Sequence, residues 1–427
     1  MAVIVETAFA AFCMITKSNH ASERSMIRIA SFIGFVLLAV LPIIDWSLRY
    51  YALASLLLLL AIIGVKSLIH KKGDKREYNA VRVVLRAIGM SALIFTFTLP
   101  AIIFPQNKPV VAATGEYQVL TQTYTYTDVN RVESYTDTGK NRKLNVQFWY
   151  PDNLGETVPL IVFSHGGLGV KSSNESLYNE LASHGYIVCS IDHTYHSFYS
   201  TDEDGDTIWI DIGYMQELFA EDAQSNIQQS YAYYQKWMKL RTDDISFVIE
   251  YIKKEAENSH ADKAYTLVDI AKIGVMGHSL GGSAALGIGR IRADVDAVIA
   301  LESPFMFDIE GIENDQFVFT DKIYPVPVLN IYSDSSWDIL EERPQYAANH
   351  RMLFDTDATA FNVYISGFGH LALTDFALTS PFLTRIIDGK KPTTGAVSCL
   401  RTINKICLEF FNCYLKGEGA FTSAGSY

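Results

Sequence analysis

Three long apolar runs, Ile29–Ile44, Tyr50–Val65 and Ile88–Phe104, crowd the first part of the chain, and short β-branched and aromatic runs fill the rest. Each early run is free of charge and sits at or just under the ~17–25 residues a helix needs to cross a hydrocarbon core. Arg28, Arg49, Lys66 and Arg86 flank them, and such long cations snorkel to lengthen a span. The pattern predicts three membrane-crossing helices, at about 27–45, 49–69 and 86–105, in an anchor over residues 1–107. Any one run also suits a buried core helix, but three in succession leave no polar face for a soluble bundle. A cleaved leader is not expected, because the first strong run begins near residue 29 behind a mixed segment. The weaker run Val3–Ile15 contains Glu6 and reads as an amphipathic or interfacial piece.

Basic residues in the short links orient the anchor. Lys17, Arg24 and Arg28 precede the first run, whereas only Asp45 and Arg49 lie between the first and second. The next link carries Lys66, Lys71, Lys72, Lys75, Arg76, Arg82 and Arg86. Both basic regions belong in the cytoplasm, so a multi-pass cell-membrane protein is expected, its N-terminus inside and everything after Phe104 outside.

From residue 115 to 427 the pattern changes to an α/β one. Gln118–Thr127 and Lys143–Tyr150 alternate polar and apolar, as antiparallel strands at a sheet edge do. Leu160–Phe163, Tyr186–Ile191, Ile273–Met276, Ala297–Leu301 and Val326–Tyr332 are almost continuously apolar, as parallel strands covered on both faces are. Helices are predicted at Glu175–Ser183, Asp244–Asn258, Ser279–Ile291 and Leu400–Tyr414. The result is a mostly parallel, doubly wound sheet interrupted by an insertion at about 196–243, rich in Tyr and Trp. That insertion suits either ordinary helical packing or a cap over an apolar substrate pocket. Asp202, Glu203, Asp204 and Asp206 within it resemble a calcium loop, but Gly205 is out of step with an EF-hand and an acidic surface turn is the simpler reading.

Composition sharpens this picture. Hydrophobic residues make up 49% and charged ones 19% of 427, and the mean hydropathy is +0.11, apolar for a soluble enzyme. The net charge of −12 argues against a nucleic-acid partner. Five cysteines, with no Cys-x-x-Cys pair, give neither a disulfide scaffold nor a zinc site; no metal or cofactor is expected. Cys407 and Cys413 are poorly spaced to pair on one helix, so free thiols are expected.

The chemistry concentrates in Gly277-His278-Ser279-Leu280-Gly281-Gly282, placed between an apolar strand and a small-residue helix. This is the Gly-x-Ser-x-Gly elbow in the context it requires, and it makes Ser279 the expected nucleophile of an α/β-hydrolase. A serine hydroxyl needs a base held by an acid, in the chain order serine, acid, histidine. His350 and His370 alone follow Ser279. His370 lies in a glycine-flanked loop after the run Phe361–Ile365 and is the expected base, whereas His350 sits in a polar stretch and reads as a surface residue. For the acid, Glu302, Asp334 and Asp338 all follow sheet strands, and pattern alone divides them evenly. Ser164-His165-Gly166-Gly167-Leu168 follows another strand and is the expected oxyanion turn, its donor Gly167 or Leu168, with Leu280 as the second. His165 reads as a structural residue of that turn.

These residues resemble the plasma-type (group VII) platelet-activating-factor acetylhydrolases and their dienelactone-hydrolase-like bacterial relatives. The resemblance spans roughly residues 115–415 and rests on Leu160–Gly166, on Leu181–Val188 followed by Asp192-His193, on Gly277–Gly282, and on His370–Phe376. It implies an acid directly after the strand that follows the nucleophile strand, which favours Glu302 over Asp334, although the family usually has aspartate there. It also implies short or oxidised acyl chains on phospholipids. The oxyanion turn departs from the family in having Gly167-Leu168 where a single leucine follows His-Gly. The three-span anchor is similar only to membrane-tethered bacterial relatives.

The expected function is a membrane-anchored serine esterase with the lipid bilayer and an ester or phospholipid as partners. A serine peptidase or acyltransferase would use the same triad, and a non-catalytic receptor on this fold would be expected to have lost it. Oligomeric state is not legible in the chain.

Overall fold

The computed structural model describes residues 2–41, 43–70, 77–355, 357, 359–389, 393 and 395–427. Lys71, Lys72, Lys75 and Arg76, which weigh in the predicted orientation, lie outside the described residues. The chain divides into two units, Met1–Lys108 with Thr379–Leu383, and Pro109–Leu378 with Thr384–Tyr427.

The first unit contains helices α1 (Ala2–Thr16), α2 (Ala21–Val40), α3 (Leu48–Ile69) and α4 (Ala80–Ile103). Asn79 caps α4 by accepting the Arg82 N–H at 3.0 Å. α2 and α3 pass closely at Gly64, where a Cβ would sit 2.8 Å from the Ser25 carbonyl oxygen. α3 and α4 are long and apolar enough to cross a membrane. The first predicted span is not a third such helix among the described residues. α2 begins eight residues before the apolar run, takes Glu23, Arg24 and Arg28 into its first turns, and stops at Val40. The run Val3–Ile15 forms a shorter apolar helix, α1.

The second unit is built on a nine-stranded sheet of order β1-β2-β4-β3-β7-β8-β11-β12-β13. β1 (Val119–Val132), β2 (Asn141–Pro151), β3 (Val158–Ser164) and β4 (Ile187–Asp192) flank α5 (Glu175–Ser183). A hairpin, β5 (Tyr199–Thr201) and β6 (Thr207–Trp209), and helices α6 (Ile212–Ala220) and α7 (Ile227–Ala256) come next. After α8 (Lys263–Thr266) follow β7 (Val268–His278), α9 (Leu280–Ile291), β8 (Ala297–Leu301), and the hairpin β9 (Ile309–Glu313) and β10 (Gln316–Phe319). β11 (Val328–Ser333), α10 (Ala347–Met352), β12 (Ala360–Ile365), α11 (Phe376–Thr379), α12 (Pro381–Ile387), α13 (Ala396–Phe411) and β13 (Gly425–Ser426) complete it.

β1 and β2 pair antiparallel, β2 meets β4 antiparallel, and every later neighbour is parallel. Successive residues of one strand enter opposite cores, because the side-chain period of a strand is two. Leu160 and Val162 of β3 pack with Val275, Ile245 and Ala284. Ile161 and Phe163 pack with Met276, Leu177 and Ile403 on the other face. This is the α/β-hydrolase-like, mostly parallel arrangement read from the apolar strands. Two helices differ from expectation, the predicted Leu400–Tyr414 being α13, Ala396–Phe411. The predicted Asp244–Asn258 is the second half of α7, which starts at Ile227 after its cap Asn226, whose side chain accepts the Gln229 N–H at 3.1 Å. Its buried positions, Tyr234, Trp237, Met238, Arg241, Ile245 and Val248, continue at helical spacing without a break.

Candidate active site

Ser279 lies between the last residue of β7 and the first of α9, at φ 54° and ψ −125°. A side-chain-bearing residue is strained there, and the elbow is held from several directions. The Ser279 N–H donates to the Leu301 carbonyl oxygen at 2.8 Å. A Cβ on Gly277 would lie 2.6 Å from the Ser164 carbonyl oxygen, and one on Gly281 would collide with the carbonyl oxygens of Ser164 and His165. Both glycines are therefore required by the close approach of β3 to the elbow.

Glu302 follows β8 directly, also in the left-handed region at φ 51°. Its N–H donates to the Ile331 oxygen at 2.7 Å, and its Oε2 accepts the Ser333 N–H at 2.7 Å. The carboxyl is buried and its Oε1 has no partner among the described residues. Burial pushes its pKa up to about 7, against the opposing hydrogen-bonding influence of Ser333 and Ser336. The 302 position thus abuts the elbow through the Ser279–Leu301 bond.

His370 opens a short 3₁₀ turn after Gly369. Its N–H donates to Ser335 Oγ at 2.9 Å, and its carbonyl oxygen accepts from the His278 ring Nε2 at 3.0 Å. The rings of His278 and His370 lie 4.5 Å apart, so the His370 loop reaches the residue next to Ser279. Burial pushes the His370 imidazole down to about 4. Asp388 Oδ1 holds the next N–H of the loop, that of Leu371, at 2.9 Å.

Asp334 is occupied at the start of the same loop. It accepts from Tyr364 Oη at 2.6 Å and from the Gly367 N–H at 3.1 Å. Asp338 is exposed in a single 3₁₀ turn, and His350 packs edge-on against Phe354 in α10. Neither is brought to the elbow.

The turn after β3 faces Ser279: a Cβ on Gly166 would lie 3.4 Å from the Ser279 Cβ. The N–H groups of Gly167, Leu168 and Leu280 have no acceptor among the described residues. Leu168 is 46% exposed, whereas Leu280 is buried at 5%. His165 is fully buried, with Nδ1 donating to the Gly166 oxygen at 2.6 Å and Nε2 2.7 Å from Ser197 Oγ. From the insertion, α6 covers this turn, with Leu218 against Gly167 and Tyr214 Oη donating to the Gly167 oxygen at 3.1 Å. Three contributors lie in segments without a motif and were not singled out from the chain: Tyr214, Asp388, and Arg241 of α7, which donates to the carbonyl oxygens of His165 and Gly166.

Residues 113–423 match the family described as platelet-activating factor acetylhydrolase, isoform II. The chain belongs to this family. The resemblance read from the elbow and its neighbours is thereby borne out, and the matched span includes each candidate site residue named above. A platelet-activating factor acetylhydrolase of the dog (Canis lupus familiaris) is 26% identical over 285 residues, 62% of this chain and 59% of that protein. The bovine (Bos taurus) enzyme of the same name is 24% identical over 279 residues, 61% of this chain and 58% of that protein. The chain thus spans about three-fifths of the length of these relatives. Among solved structures, a ferulic acid esterase from Streptomyces cinnamoneus superposes with a TM-score of 0.58 at 20% identity, covering 73% of this chain and 94% of that one. That likeness speaks for the fold. In this family member the four N-terminal helices precede the matched span.

Proposed function

We propose that the chain is a membrane-anchored serine esterase with Ser279 as nucleophile, His370 as general base and Glu302 as the acid that orients it. The observation that carries this reading is the elbow itself. Ser279 stands at φ 54° at the head of α9, beside the unpartnered N–H of Leu280, in a member of the acetylhydrolase family. Removal of the Ser279 proton by His370 lets the oxygen attack an ester carbonyl. The oxyanion that forms is received by Leu280 and by Gly167 or Leu168. The tetrahedral adduct collapses, the alcohol leaves with the proton from His370, and water then releases the acyl group by the same steps. Burial favours the neutral His370 ring, the form a base requires. Glu302 is preferred to Asp334 because its Oε1 is uncommitted, whereas Asp334 already binds Tyr364 and Gly367.

The relatives' name, platelet-activating factor acetylhydrolase, supports an acetyl ester as substrate, and short or oxidised acyl chains of phospholipids are what the family resemblance implies. The apolar helices α3 and α4 support attachment to a bilayer, and the basic link between them supports an extracytoplasmic catalytic domain. Ser279→Ala is the test. It is expected to abolish p-nitrophenyl acetate hydrolysis and fluorophosphonate labelling, and retained activity overturns the reading.

A further inference from the structure

Behind the oxyanion turn lies a second serine–histidine–acid chain. Ser164 Oγ is 2.8 Å from His193 Nε2, and His193 Nδ1 is 2.9 Å from Asp244 Oδ2. Asp244 also takes a bidentate pair from Arg142 at 2.7 and 2.6 Å and a bond from Arg131 at 2.8 Å. Ser164, His193 and Asp244 are all wholly inaccessible, so this chain meets no substrate. Its consequence is different: it leaves the neighbouring Arg241 without a counter-ion.

Arg241 is fully buried, and among the described residues no carboxylate lies within ion-pairing distance of it. Asp244, one turn further along α7, is committed to Arg142, Arg131 and His193. A buried, uncompensated guanidinium is costly, so its partners matter. It donates to the His165 carbonyl oxygen, to the Gly166 oxygen at 3.3 Å, which also accepts the Gly169 N–H at 3.1 Å and His165 Nδ1 at 2.6 Å, to Tyr214 Oη at 3.4 Å, and to Ser164 Oγ at 3.5 Å. Tyr214 in turn donates to the Gly167 oxygen at 3.1 Å. In a trans peptide the N–H points opposite to the preceding C=O. Drawing the carbonyls of residues 166 and 167 towards α6 and α7 therefore turns the N–H groups of Gly167 and Leu168 the other way. The turn passes beside the elbow, where a Cβ on Gly166 would lie 3.4 Å from the Ser279 Cβ.

We propose that Arg241 is the positioning residue of the oxyanion turn, a buried cation that aims and polarises the peptides donating to the reacting carbonyl, with Tyr214 extending its hold to Leu168. The inference rests on the esterase reading of Ser279 and this turn. A positive charge behind a row of peptide dipoles strengthens their N–H ends, and it does so most where negative charge develops. The effect belongs to the transition state and not to ground-state binding.

The test compares Arg241→Met, Arg241→Lys, Tyr214→Phe, Glu133→Gln and Ser279→Ala in the full chain with p-nitrophenyl acetate. Glu133 touches Arg142 and no carbonyl of the turn, so its variant reports damage to the buried network alone. Arg241→Met is expected to lower kcat ~10-fold or more with KM moving less than ~3-fold, since a lost oxyanion donor costs ~10²–10³. Affinity for a phenylboronic acid, which mimics the tetrahedral adduct, should fall by the same factor. Arg241→Lys should recover part of both, Tyr214→Phe should lose severalfold in kcat, and Glu133→Gln should lower Tm while keeping kcat. Loss shared between KM and kcat, or equal losses in Glu133→Gln and Arg241→Met, overturns the proposal. If Arg241→Met does not fold, unchanged kcat in Tyr214→Phe overturns it instead. An active Ser279→Ala defeats the esterase reading, whereas an inactive Ser279→Ala beside a fully active Arg241→Met defeats this inference only.

Discussion

The ring of His278 donates to the carbonyl oxygen of His370 at 3.0 Å. The residue just before the proposed nucleophile therefore tethers the loop that carries the proposed base. Replacing His278 with Leu removes this bond but leaves the elbow glycines intact. Small displacements of a base cost much in rate, and a drop of about tenfold in kcat is expected, with little change in KM. Steady-state kinetics on p-nitrophenyl acetate checks this, and an unaltered kcat would show that Ser335 and Asp388 hold the loop by themselves.

Gly281 has no room for a side chain, because a Cβ there meets the carbonyl oxygens of Ser164 and His165. Backbone cannot yield as a flexible side chain does. Gly281→Ala should cost about 1–3 kcal/mol of stability through overpacking, and should displace Ser279 enough to remove nearly all esterase activity. Thermal unfolding and fluorophosphonate labelling of the same sample measure the two effects separately.

Glu302 sets one sign of the pH dependence of stability. Its carboxyl rises from 4.5 to about 7 on folding, so the folded state holds the proton more tightly. The stability linked to that proton is present below pH 4.5 and is lost as pH rises through 7. His370 acts in the opposite sense, since its folded value falls from 6.5 to about 4 and its contribution is lost as pH falls through that window. Glu302→Gln should remove the first effect and leave the second. Relative to the parent, the variant should gain roughly 3 kcal/mol at most between pH 4.5 and 8, the linkage value of such a shift. Urea unfolding at the two pH values is the measurement; an unchanged difference would place the Glu302 proton elsewhere.

Asp244 holds Arg142, Arg131 and His193 together in the interior. Arg142 keeps its carboxyl far below the usual range against the cost of burial. Removing one partner of a buried ion pair strands the others, at about 3–5 kcal/mol. Asp244→Asn should lower Tm by many degrees, read by circular dichroism, and a melting point within a degree or two of the parent would contradict this.

The side of the membrane on which the catalytic domain lies depends on the link between α3 and α4, whichever way α2 is disposed. Lys66, Arg82 and Arg86 at its ends are basic, and the proposed topology puts the link in the cytoplasm on that ground. Cysteines introduced at exposed Asp204 and at His70, in a chain whose native cysteines are replaced, should differ in sealed cells. A membrane-impermeant maleimide is expected to label position 204 and spare position 70; the reverse pattern would invert the topology.

Much of this was legible in the chain because it is written locally. The runs of β3, β8 and β11 are apolar along their length since both sides of a parallel strand are covered, and the helix Glu175–Ser183 is read to the residue. The elbow is legible for the same reason: glycines at 277 and 281 answer a backbone approach that only a strand–turn–helix makes. The extent of α7 was less so, because an insertion boundary is marked by no change in helical spacing.

Sequence alone thus set the family and the main apolar strands, and pointed to the elbow serine and the histidine proposed with it, since each of these signals is local. Folding in three dimensions decided which carboxylate is uncommitted beside the elbow, which residues grip the His370 loop, and that Arg241 stands without a counter-ion behind the oxyanion turn. Those relations join positions tens to hundreds of residues apart, and burial and hydrogen-bond geometry, which no periodicity encodes, bring them together.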